Sequence, residues 1–162
     1  MLIISKTANV SPLSDIEDSI RGSKIIINER VMIDSFVKIK PVGGTGDIII
    51  GENSYINSDV VIYSGNGVKI GKNVMISANC TLAPVNHEYH DKNRKIIDQK
   101  FVPTKGGITI EDDVWIGANS VILDGVIIEE GAVIGAHSLV RGTLESYTIY
   151  AGSPLKLIGK RT

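Results

Sequence analysis

The sequence predicts an all-β chain coiled as a parallel β-helix, and three observations carry that expectation. The first is a strict six-residue spacing, with Ile110, Ile116, Ile122, Ile128, Ile134 and Val140 in one register. The second is a companion column of small or apolar residues two places earlier: Ile108, Val114, Ser120, Val126, Ala132 and Ser138. The third is composition. Apolar residues make up 43% of the 162 but aromatics only 5%, so the core must be built from Ile, Val and Leu. A period of six fits neither a helix nor a hairpin meander with its wider turn spacing. It fits a short strand, a tight corner and another short strand, so that three hexads close one triangular coil. Fifteen core aliphatics share the register, which an ordinary β-sandwich would match only by accident.

The elements follow in order. Residues 1–24 read as an irregular segment in which Leu2/Ile4, Ala8/Val10 and Ser14/Ile16 suggest one loose coil. Residues 25–140 form about five coils, whose earlier core positions are Ile27, Ile33, Ile39, Ile50, Ile56, Ile62, Ile70, Ile76 and Leu82. Gly51, Gly71, Gly117 and Gly135 each follow a core aliphatic residue, where a corner is expected to need freedom in φ. Insertions interrupt the period three times: five extra residues before Ile50, two before Ile70 and 22 before Ile110. The last makes one long loop over 83–109, a length that usually carries function. After Val140 the period stops, and the tail 141–162 reads as an extended segment, a turn and a short basic helix from about Pro154.

Strand alternation predicts the outer surface as well. Met32, Tyr55, Met75, Trp115 and Val133 point outward on the second side, and Val61, Val121 and Leu139 on the third. Such a stripe on a prism is expected to be covered by cyclic self-association, most simply as a homotrimer. A formal charge of −1 and a pI near 6.3 argue against nucleic acid as partner. The absence of a long apolar run argues against membrane insertion. A single cysteine, Cys80, fits a reducing cytoplasm.

The loop contains "PVNHEYHDKNRKIIDQ", with His87 and His90 among its polar residues. "HEYH" is one residue short of the zinc-protease spacing. His87 and His90 are three apart, and His137 lies on another coil, so no metal is expected. A histidine at the root of such a loop suits a general base acting on a hydroxyl.

Together, "ITIEDDVWIGANSVILDGVIIEEGAVIGAHSLV", "YAGSPLKLIGKR" and an "NH" opening a long upstream loop resemble the hexapeptide-repeat acyltransferases. The resemblance is closest to the maltose, galactoside and exopolysaccharide O-acetyltransferases and covers about 25–161. It implies a left-handed β-helix, a trimer with active sites between subunits, acetyl-CoA as donor and a sugar or glycan as acceptor. It further implies His87 as general base, the Ala118 N–H facing the thioester oxygen and the Ala136 backbone along the pantetheine. Lys156, Lys160 and Arg161 match residues near the donor's phosphates. Asn57 matches an acceptor contact, while Asn86, Asp91 and Gln99 are loop candidates for orienting His87 or binding acceptor. Trp115 walls the pocket or packs at the interface. Two departures stand out: His137 replaces a usual glycine, and "SGNG" (64–67) lacks the acidic acceptor residue of the galactoside enzymes. An N-acetyltransferase acting on an amino-sugar nucleotide and a non-catalytic scaffold remain the alternatives.

Overall fold

The structure, a computed structural model, describes all residues 1–162. Three sheets of seven, eight and six strands, parallel except for the last pairing of the eight-stranded one, form the sides of a triangular coil, and strands on one side recur every third strand. The six-stranded third side counts six complete coils. The five expected coils are there, and the loose N-terminal segment is a sixth: Leu2–Ile4, Asn9–Val10 and Asp15–Ile16 each pair in parallel with the coil above. Register is fixed by the six-residue period. On the first side, for example, Ile50 lies on Ile70, Ile70 on Ile110 and Ile110 on Ile128. All fifteen core aliphatics are buried in one apolar cluster, and their companions two places earlier are buried beside them. A fully buried Ile contributes roughly 1.5–3 kcal/mol, so stacked identical columns carry much of the stability.

Two expectations are corrected. The period does not end at Val140, because Thr143–Leu144 and Thr148–Ala151 add two further rungs in parallel with the coil below. The tail does not end in a helix. Lys156–Lys160 forms a strand that pairs antiparallel with Thr148–Ala151. The open sheet edge offers a full row of backbone partners, whereas a helix this short, with Gly159 and Ile158 inside it, has no stable nucleus.

The corner glycines also act differently from expectation. Gly51, Gly71, Gly117 and Gly135 are absent from the positive-φ residues; Asn53, Asn73, Asn119 and His137, two places later, hold φ of 56–60°. The glycines are there for close approach. A Cβ at Gly51 would lie 2.2 Å from the Gly71 oxygen, and one at Gly117 would lie 2.5 Å from the Ala136 nitrogen.

Candidate active site

Two groups of candidate residues emerge, and they flank the third side. The first sits at the corner between the second and third sides. There Asn57, Ser77, Gly117 and Gly135 follow one another up the coils, each N–H donating to the carbonyl of the next coil. The Asn57 Oδ1 accepts the Ser58 N–H at 2.7 Å. Trp115 lies between Met75 and Val133 on the second side, 48% exposed, and its Nε1 donates to Ser77 Oγ at 3.1 Å. The indole is thus turned toward this corner.

Ala118 and Ala136 occupy the same corner of successive coils. The Ala118 carbonyl keeps the ladder by accepting the His137 N–H at 2.8 Å, but neither alanine N–H donates to any protein group. Small side chains and two unpartnered donors, one coil apart, suit an extended thioester ligand lying against backbone. Inside the same corner, Ser120 and Ser138 donate to the Gly117 and Gly135 carbonyls at 2.7 Å, and the Cys80 thiol to Gly117 O at 3.2 Å. This inward ladder holds the corner shape. Burial pushes the Cys80 thiol pKa upward, which keeps it an inert member of that ladder.

The tail splits its cations. Lys156 pairs with Ala151 at the end of the Ala118–Ala136 column, while Lys160 pairs with Thr148 at the far end of the hairpin. Arg161 donates to Asp113 Oδ2 and Gly131 O, both at 2.9 Å, and lies 5.7 Å over the Tyr147 ring. That guanidinium fastens the hairpin to the first corner, away from Ala118. Of the three, Lys156 lies nearest the alanine column.

The second group belongs to the loop, which leaves the third side after Ala83 and returns at Ile108. His87 bridges to Phe101 in antiparallel pairing, and its ring packs on Phe101 with centroids 4.8 Å apart. Neither imidazole nitrogen of His87 has a partner; Asn86 Oδ1 accepts the His87 backbone N–H at 2.9 Å. Gln99 is buried, receives the Asp91 N–H and donates to the Asp91 and Arg94 carbonyls, closing the loop into a compact knot. Its amide is therefore fully engaged within the chain. His90 has the oriented ring, its Nδ1 2.6 Å from Glu88 Oε1.

Residues that the sequence reading passed over line the groove beneath the loop: Tyr89, Lys105, Asp124 and Arg141. The signal was present in the repeat. Ala83 pairs with Leu123, and Arg141 follows Leu123 by one coil, so it must emerge under the loop.

Comparison with known proteins fits this geometry. Residues 107–142 match the bacterial transferase hexapeptide model (six repeats), and 47–84 match the hexapeptide repeat of succinyl-transferase. The chain is 38% identical over 112 residues to galactoside O-acetyltransferase of Escherichia coli (strain K12), covering 69% of this chain and 53% of that protein. It is 32% identical over 122 residues to the putative lipopolysaccharide biosynthesis O-acetyl transferase WbbJ of the same organism, covering 72% and 62%. The chain thus spans about half to three fifths of these relatives. Among solved structures, a mutant of AntD, an N-acyltransferase from Bacillus cereus, superposes with a TM-score of 0.82 at 25% identity, covering 98% of this chain and 83% of that one. It was solved with dTDP-4-amino-4,6-dideoxyglucose and coenzyme A. The hexapeptide-repeat acetyltransferase VCA0836 of Vibrio cholerae O1 biovar eltor, complexed with acetyl coenzyme A, matches with a TM-score of 0.71 at 28% identity, covering 86% and 70%. The chain is a left-handed parallel β-helix built from the repeats of the hexapeptide transferases, and its named relatives are acyltransferases.

Proposed function

We propose that the protein is an acetyl-CoA-dependent acetyltransferase acting on a hydroxyl of a sugar or glycan precursor. The observation that carries the reading is the pair of unpartnered N–H groups at Ala118 and Ala136 on the corner column that ends at Lys156. Ala118 donates to the oxygen of the reacting thioester carbonyl as charge develops there. Ala136 holds the pantetheine arm, and Lys156 attracts the donor's phosphates. Lys160 stands at the far end of the hairpin, and Arg161 fastens that end to the first corner. Trp115 and Asn57 shape the acceptor side of the corner, with Asn86, Asp91 and Gln99 shaping the loop. His87 removes the acceptor proton as the new oxygen–carbon bond forms. The carbon–sulfur bond breaks, and the imidazolium returns its proton to the thiolate, releasing CoA as a thiol.

The loop and the alanine column leave from opposite edges of the third side. A trimer answers this separation, because the loop of one copy then faces the alanine corner of its neighbour. Exposed apolar side chains on the loop, Ile96, Ile97 and Phe101, and on the second side, Met32, Met75 and Trp115, support such packing. His87→Ala is expected to lower kcat about 10²–10⁴-fold with donor affinity retained, read by CoA release across a sugar panel. Near-normal turnover would sink the mechanism. The likeness to AntD favours a second reading, in which the acceptor is the amine of an amino-sugar nucleotide. Turnover with amino-sugar nucleotides alone would select it.

A further inference from the structure

We propose that the groove beneath the extended loop is an acceptor subsite for an anionic sugar, with Tyr89 as its stacking platform and Lys105 and Arg141 as its anion-binding residues. The substrate class rests on the acetyl-transfer reading, but the site can be tested apart from it.

The groove encloses about 650 Å³, and half of its lining is apolar. That size suits a sugar with a charged substituent. Its platform is held firmly for an exposed loop. Tyr89 stacks on His90 with ring centroids 4.5 Å apart and planes 19° from parallel. His90 is tied at Nδ1 to Glu88 Oε1. The same oxygen accepts the Tyr89 and His90 backbone N–H groups at 2.8 and 2.9 Å. Glu88 in turn donates its own N–H to Lys100 O at 3.0 Å. One carboxylate therefore fixes the aromatic pair, and the Tyr89 face opposite His90 is free to meet the apolar face of a sugar ring.

The charges across the groove are unequal in engagement. Asp124 Oδ1 accepts the Gly107 N–H at 2.8 Å, and its Oδ2 accepts the Lys105 N–H at 2.8 Å and Asn66 Nδ2 at 3.2 Å. This carboxylate is committed to the root of the loop. The side chains of Lys105 and Arg141 have neither ion-pair nor hydrogen-bond partner in the chain. Two unpaired cations lining the same half-apolar groove as an aromatic platform recognise a sugar carrying a phosphate or a carboxylate. A second groove of about 580 Å³ continues from Leu139 and Arg141 toward Tyr150 and Leu155. Arg141 thus lines both grooves.

The test is calorimetric titration of the CoA-saturated protein with sugar 1-phosphates, nucleotide diphosphate sugars, uronates and the corresponding neutral sugars. Anionic sugars are expected to bind at least about tenfold more tightly than neutral ones. Arg141→Ala and Lys105→Ala should each erase about tenfold of that difference and leave neutral sugars unaffected. Tyr89→Ala should weaken both kinds. Comparing phosphate and uronate series tells which anion is read. Equal binding of neutral and anionic sugars, or no sugar binding at all, overturns the proposal. So does a loss of CoA affinity in Arg141→Ala, which would assign the cations to the donor's phosphates. Anionic sugars that bind without being acetylated uphold the subsite and remove the transfer reading instead. Acetylation of anionic sugars that is insensitive to Arg141→Ala does the reverse.

Discussion

His137 occupies a corner position with φ of 57°, where Asn119 and Asn79 stand in neighbouring coils at 60°. Asparagine tolerates this left-handed conformation through local bonding of its short amide. The His137 side chain is exposed and makes no hydrogen bond, so nothing local offsets the strain. His137→Gly is therefore expected to stabilise the protein by about 0.5–1 kcal/mol, after allowing for the greater freedom of glycine in the unfolded chain. Thermal unfolding should register this as a rise of about 1–4 °C. A fall in midpoint would mean that the imidazole makes a contact across a subunit boundary. The position itself was legible as a departure from glycine; the sign of φ was not, because sequence spacing marks a corner without saying which of its residues turns left-handed. The same limit explains the glycines. The spacing assigns Gly117 to the turn for its freedom in φ, yet what the residue provides is room against the next coil, where a Cβ would come within 2.5 Å.

At the scale of elements, the extended loop is ordered by polar bonds more than by burial. Gln99 closes Asp91 to Arg94, and Glu88 organises Tyr89 and His90. The Glu88 carboxyl, held by the backbone and side-chain bonds to His90 and the backbone bond to Tyr89, falls from an ordinary glutamate value of 4.5 to about 2. A carboxyl pKa depressed on folding means this ordering is complete above about pH 4.5 and is lost as pH falls through about 2. Carbon-detected titration of the Glu88 carboxyl should give a midpoint near 2, with the Tyr89 and His90 amides shifting along the same curve. A midpoint near 4.5 would contradict the contact. The existence and limits of the loop were readable from 22 residues that break the hexad count. Its internal wiring was not, since Asp91 meets Gln99 and Glu88 meets His90 through a backbone path that no periodicity specifies. The C-terminal strand is a similar case. "PLKLIGKR" has the basic, apolar mixture of a terminal helix, and only the open edge beside Thr148–Ala151 makes it a strand.

At the scale of the whole molecule, the outer face of the second side remains uncovered in the monomer. Met75 is 51% exposed, Trp115 48% and Met32 47%, and the three lie on the same sheet. Sedimentation at micromolar concentration should give about three times the chain's 17.4 kDa, and Met75→Glu should shift the protein toward monomer with its coils intact by circular dichroism. A wild-type monomer under those conditions would refute the assembly and leave His87 without an alanine corner to face. The sequence by itself determined the coil, because a six-residue aliphatic period has one stable solution, in which identical side chains stack in parallel register. It also determined which coil is interrupted and which histidine stands at the interruption. Only the tertiary structure decided what lies beneath the loop and which groups remain unpaired. Tyr89, Lys105 and Arg141 come from segments up to 52 residues apart in sequence. They share a groove because a solenoid adds each coil directly above the last, bringing distant residues together at a common corner.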